Sequence, residues 1–139
     1  MKLIVLLIPM LFGSLLSYAQ GICRVATLKV DGIAGRVEWN DRTHQPIAKT
    51  RLKLLDAETN DAEKPLASFV TGEDGRFAFK NLTKGKYILA AKLFVDESPM
   101  FEFRAVFDVR KSKGSRIRSF INMKLGSDCW RSDVSVRKK

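Results

Sequence analysis

Between Arg76 and Leu89 the chain alternates. Phe77 and Phe79 stand between Arg76, Ala78 and Lys80, and Tyr87 and Leu89 repeat the rhythm after the turn formers Asn81 to Gly85. A period of two is that of a strand with one wet face. The stretch therefore predicts a hairpin, entered through the Asp74-Gly75 turn, where glycine takes φ > 0 without a Cβ clash. The same rhythm recurs along the chain. Arg24 to Val30 reads as a strand before the Asp31-Gly32 turn, and Gly35 to Trp39 as another, with Val37 and Trp39 on one face. Ile47 to Leu55 follows, with Thr50, Leu52 and Leu54 against Arg51 and Lys53, and then Leu66 to Val70. Beyond the Asp96 to Pro99 break, Phe101 to Arg110 and Arg116 to Leu125 complete the set. No window after the first 19 residues sustains an i, i+3, i+4 pattern. About seven short strands with turn signals between them predict an all-β sandwich or barrel.

The segments without alternation carry other information. Residues 1–19 combine Lys2, an apolar run from Leu3 to Phe12, a Gly13-Ser14 break and the small residues Ser17 and Ala19, the layout of a cleaved secretory signal. The run is shorter than the ~20 residues that cross a bilayer. The expected product is exported, periplasmic or extracellular, with no membrane span after cleavage. Ile22 and Gln20 stand where a lipid-anchoring signal needs a small residue and a leucine before Cys23, so lipidation is not expected. The chain has two cysteines, Cys23 and Cys129, one near each end of the exported part. In an oxidising compartment they most simply form one disulfide. What remains is one domain's worth of chain. The acidic stretch 56–65 is the longest without periodicity and is the expected mobile binding loop.

Several motifs fall in order along residues 35–125: Gly35-x-Val37, Pro46-Ile47-Ala48, Leu52-x-Leu54, Asp74-Gly75-x-Phe77-x-Phe79, Leu82-x-x-Gly85-x-Tyr87, Val106-Phe107-x-Val109 and Ile121-x-Met123-x-Leu125. This series resembles the carboxypeptidase regulatory-like domain, a transthyretin-like (prealbumin-like) Greek-key β-sandwich often found in exported bacterial proteins. The resemblance implies a domain over 35–125, flanked by an N-terminal segment 20–34 with Cys23 and a basic C-terminal segment 126–139 with Cys129. It implies no catalytic residue, because the motif positions fill the core or turn the chain. Tyr87 is expected to bury its ring while its hydroxyl finds a partner.

Candidate chemistry is sparse. The single histidine, His44, lies in the turn Thr43-His44-Gln45-Pro46, where a surface role is expected rather than half of a catalytic pair. Transthyretin-like hydrolases use several histidines and a different C-terminus from Ser-Val-Arg-Lys-Lys, so a small hydrolase is the disfavoured alternative. No cofactor and no metal are expected. Asp56, Glu58, Asp61 and Glu63 supply oxygens but not the glycine spacing of a calcium loop, and a solvated acidic loop is the expectation.

Charge changes the picture most. Formal net charge is +10, and Lys2 is the only charged residue of the signal, so the exported chain keeps +9. Cations concentrate at Arg110, Lys111, Lys113, Arg116 and Arg118, and again at Arg131, Arg137, Lys138 and Lys139. A field of that sign favours polyanions such as acidic polysaccharide or a phosphate-bearing envelope surface. Nothing resembles a recognition helix or an RNA-binding aromatic motif, so no sequence-specific nucleic acid is expected. Trp39 and Trp130 are ligand-stacking candidates, although packing is the expectation for both. The functional expectation is a non-enzymatic exported binding or structural module associated with carbohydrate or the cell envelope, its partner a protein or glycan. The alternative is an accessory subunit pairing through a sheet edge, with the long Phe101 to Arg110 strand as the edge.

Overall fold

Each strand predicted from alternation has a counterpart in the computed structural model, which describes residues 22–24, 27–110 and 116–138. The segment 1–19 expected to be a signal, Lys111, Lys113 and Lys139 lie outside the described residues. Ten strands follow in order: β1 (Ile22–Arg24), β2 (Leu28–Val30), β3 (Ile33–Trp39), β4 (Arg51–Asp56), β5 (Ala67–Val70), β6 (Arg76–Phe79), β7 (Gly85–Val95), β8 (Ser98–Val109), β9 (Ser119–Leu125) and β10 (Asp133–Lys138). A single 3-10 turn, Cys129–Arg131, joins the last two.

The strands form two mixed sheets. The first runs β5-β4-β7-β8, with β1 and β2 both parallel to the far side of β8. The second runs β6-β3-β9-β10, its central pair β3 and β9 parallel. One core lies between them. Leu52, Leu54, Leu89, Phe103 and Phe107 of the first sheet and Ile33, Val37, Ile121, Met123 and Leu125 of the second are all fully or almost fully buried in a single cluster. Alternation decides which side chains enter it, since every second residue of a strand faces the same sheet surface. Phe69 meets Phe79 edge-on at 6.2 Å, so the β5 and β6 margins of the two sheets lie together. The β1/β2 and β10 margins therefore share the opposite side.

Two glycines set this geometry. Gly75 has φ +68 and a Cβ there would sit 2.4 Å from the Val37 carbonyl oxygen, so the turn before β6 requires glycine. Gly35 has ordinary φ, but a Cβ would lie 1.9 Å from the Ile121 carbonyl oxygen where β3 runs against β9.

Four expectations need correction. The strand foreseen over Ile47 to Leu55 starts only at Arg51, because Lys49 takes φ +59 and its N–H donates to the Thr71 carbonyl at 2.8 Å. The strand foreseen from Arg24 to Val30 is divided into β1 and β2. Segment 126–139 is part of the fold: β10 pairs antiparallel with β9 along its whole length and buries Val134. The Phe101 to Arg110 strand is not an edge, since β8 is hydrogen-bonded on both sides, to β7 and to β1 and β2.

The acidic loop is also held rather than loose. Leu55, Ile88 and Ala90 are buried on the outer face of the first sheet, away from the shared core. The 57–66 segment is tied across this face. Asn60 Oδ1 accepts from the buried Arg104 guanidinium at 2.8 Å, and Arg104 also pairs with Glu102 at 2.8 Å. Ala57 N–H donates to the Lys86 carbonyl and Leu66 N–H to the Leu54 carbonyl. The Asp56 and Asp61 carboxylates cap the backbone N–H groups of Glu58 and Glu63.

Candidate functional site

Register sorts the polar candidates to two opposite ends of the molecule. At one end β2, β6, β8 and β10 finish while β3, β7 and β9 begin. Here Val30 pairs with Val109, and the Arg110 N–H donates to the Val30 carbonyl at 2.9 Å. Arg137 and Lys138 stand opposite Phe120 and Ser119, the first residues of β9. Arg110, Arg116, Arg118, Arg137 and Lys138 thus converge, and all are exposed. The Gly85–Val109 pairing adds Lys84 and Lys86, and the Ile33–Phe79 pairing adds Lys80. No run in the sequence marks those lysines as part of the cluster, because only strand register carries them there.

Two acids at this basic end, Asp108 and Asp31, are already engaged. Asp108 holds the Arg110 guanidinium at 2.9 Å. The Asp31 carboxylate accepts from the backbone N–H of Arg118 at 2.9 Å and of Ser119 at 2.8 Å, while its own N–H donates to Ser119 Oγ. These bonds fix the chain where it enters β9, and the Arg116 and Arg118 side chains are exposed. The Arg137 guanidinium lies 5.1 Å from the centre of the Phe120 ring, a cation–π contact that fixes its position.

At the other end the pieces are aromatic. Trp39 closes β3, half-buried and packed against the core, as expected. Trp130 does not pack: it is 96% exposed, the reverse of the expectation. The reason is the turn that carries it. Asp128 Oδ1 accepts from Arg131 N–H, Ser132 Oγ donates to the Asp128 carbonyl, and Gly126 N–H donates to Ser132 Oγ, so the backbone direction is set with the indole outward. Asn40 Nδ2 donates to the Arg131 carbonyl at 2.8 Å, joining this turn to the residue after Trp39. Arg131 therefore belongs to the aromatic end, and the nine predicted polyanion residues do not make one patch. Cys129 is half-buried beside the core and is not a free thiol. Cys23 lies on β1, opposite Phe103, while its side chain falls outside the described residues.

His44 sits on the loop that follows β3, with φ +48. Its Nδ1 lies 3.8 Å from Glu38 Oε1, and Arg36 Nε lies 3.8 Å from Glu38 Oε2. Both distances exceed hydrogen-bond length. The loop is shaped by Asp41, whose Oδ1 accepts from the Thr43 hydroxyl at 2.6 Å and from the N–H groups of Thr43 and His44. The Thr43 hydroxyl above all holds the Asp41 carboxyl below its ordinary value, against desolvation, with lesser help from the Thr43 and His44 N–H groups and His44 itself. This arrangement orients a turn and provides no paired nucleophile.

An open cleft of about 690 Å³ lies beside the β7–β8 turn. Lys49 and Arg51 line it together with Asp96 and Glu97, so its walls carry opposite charges and it adds little to the basic field. Among the described residues no helix is long and apolar enough to cross a membrane, and no group of three or more acidic, His or Cys side chains could hold a metal. No protein-family model, curated protein or solved structure matches the chain.

Proposed function

We propose that the chain is an exported, non-enzymatic binding module that holds a polyanionic polymer of the cell envelope at its basic end. The observation that supports this reading is the convergence of Arg110, Arg116, Arg118, Arg137 and Lys138 with Lys80, Lys84 and Lys86, while Asp31 and Asp108 are bound to the protein's own donors. Like charge clustered at and beside strand ends raises the local concentration of a flexible polyanion without needing a shaped pocket. The reading includes cleavage of 1–19 and a transthyretin-like Greek-key relation to carboxypeptidase regulatory-like domains. It also includes a Cys23–Cys129 disulfide, favoured because β1 and the turn before β10 occupy the same margin of the two sheets.

The test is salt elution of the mature protein from its native envelope fraction and from a phosphate-bearing polysaccharide column. Contacts between exposed charges are screened over about 8–10 Å at physiological salt. Wild type is expected to elute at a distinctly higher salt concentration than a variant with Arg116, Arg118, Arg137 and Lys138 changed to Ser. A Lys49→Ser/Arg51→Ser control, altered in the mixed-charge cleft, should elute with wild type. Equal elution of the four-residue variant and wild type refutes the proposal.

A further inference from the structure

We propose that Trp130 is a stacking platform for the pyranose ring of a polysaccharide whose ring hydroxyls are equatorial, on a surface separate from the basic end. The inference shares with the proposed function only the export of the chain, and it concerns different residues.

The first argument is position. Trp130 is 96% exposed although Cys129 beside it packs on the core, so the indole is turned outward by a fixed backbone. The second is rigidity. Three hydrogen bonds within 126–132, a fourth from Ser132 N–H to the Cys129 carbonyl and a fifth from Asn40 hold the turn. The backbone that carries the indole is thus already ordered, so binding has only the side-chain rotamer left to fix.

The third argument is what surrounds it. Among the described residues the other exposed large apolar side chains are Leu66, Val70 and Ile117. The first two belong to the β5 margin and the third precedes β9 at the basic end, so none of these described residues adjoins Trp130. A protein hot spot needs neighbours that exclude water, and a membrane-surface anchor needs a broad apolar face. The neighbours here are Ser127, Asp128 and Arg131, all exposed and polar. A pyranose with equatorial hydroxyls has the complementary form. Its flat C–H face lies on the π surface, and its rim of hydroxyls meets a carboxylate and a guanidinium that can accept and donate.

The experiment uses the protein's own fluorescence. The chain has two tryptophans, so a Trp39→Phe background leaves Trp130 as the only indole. Cellohexaose and chitohexaose are titrated while acrylamide quenching is read, and circular dichroism checks each variant's fold. At least one oligosaccharide is expected to reduce the quenching constant severalfold. With binding read calorimetrically, Trp130→Ala is expected to lower affinity about tenfold or more, and Trp130→Tyr to keep most of it. Because Trp130 makes no core contact, Trp130→Ala should retain the wild-type melting temperature. The four-residue basic-end variant should bind the oligosaccharide like wild type, so either proposal can fail alone. The inference is overturned if neither oligosaccharide protects Trp130, or if Trp130→Ala binds as well as wild type. Protection by anionic vesicles alone, without any sugar response, also overturns it.

Discussion

Replacing glycine by alanine is one chemical change, but at positions 35 and 72 it should have opposite outcomes. At Gly72 the added Cβ would meet only Asp74 Oδ1, at 3.8 Å, and the backbone is not left-handed. The substitution then mainly reduces the freedom of the unfolded chain and should stabilise by about 0.4–1 kcal/mol. At Gly35 the Cβ would lie 1.9 Å from the Ile121 carbonyl oxygen, where ordinary contact begins at 3.4 Å. The obstacle is backbone, so β3 and β9 must separate by roughly 1.5 Å, a large fraction of the ~4.8 Å between paired strands. Two ladder hydrogen bonds at about 1 kcal/mol each and an overpacking cost of about 1–3 kcal/mol give a loss of about 3–5 kcal/mol. For a domain of this size about 1 kcal/mol shifts the midpoint by ~4 °C, so Gly35→Ala should melt ~12–20 °C lower and Gly72→Ala ~2–4 °C higher. Thermal unfolding followed by circular dichroism and calorimetry measures both. If Gly35→Ala melts at or above wild type, the close β3–β9 approach, and the register built on it, is wrong.

Three further outcomes follow from individual contacts. Tyr87→Phe removes the hydroxyl that donates to the Thr83 carbonyl at 2.9 Å and should destabilise by about 1 kcal/mol, readable as a drop in the denaturant midpoint. Asp41 is held below the ordinary aspartate value, so its stabilising bonds are complete above that value and are lost as pH falls through its lower, folded one. Side-chain carboxyl NMR should show a titration midpoint below that of unfolded aspartate, moving back up in Thr43→Ala. The proposed disulfide should leave no alkylatable thiol in the unreduced, denatured protein. Reduction should then cost about 4–5 kcal/mol by chain entropy for a loop of about 100 residues, and two reactive thiols before reduction would rule the bond out.

Where local alternation met the shared core, the sequence was a good guide. Phe77, Phe79, Leu52, Leu54, Ile121 and Met123 all enter the core on the face their spacing assigned, and the Tyr87 hydroxyl finds its partner. Alternation failed where a second layer intervenes. Leu54 and Leu55 are adjacent and both fully buried, and a period of two cannot foresee burial on the outer face. The anchoring of the acidic loop rests on Asn60 and Arg104, far apart in sequence and joined only by folding. Val134 and Val136 did alternate within the basic tail, a legible strand signal outweighed by its charge. Trp130 was misread because size and aromaticity argue for packing, whereas the hydrogen bonds of its turn decide otherwise.

The parallel pairing of β3 with β9 has a kinetic meaning as well. Gly35 and Ile121, neighbours in the finished sheet, are separated by most of the chain, and β9 in turn receives β10, which ends at Lys138. The second sheet thus has no central pair until residues 119–125 have been made. Until then Phe77 and Phe79 have only half of their enclosure, and the edge of β3 that belongs to β9 is open. Closing so long a loop before any contact rewards it makes for slow folding, on the order of milliseconds to seconds. The β4, β5, β7 and β8 strands can pair before β9 is made, so the second sheet should be the later of the two to close.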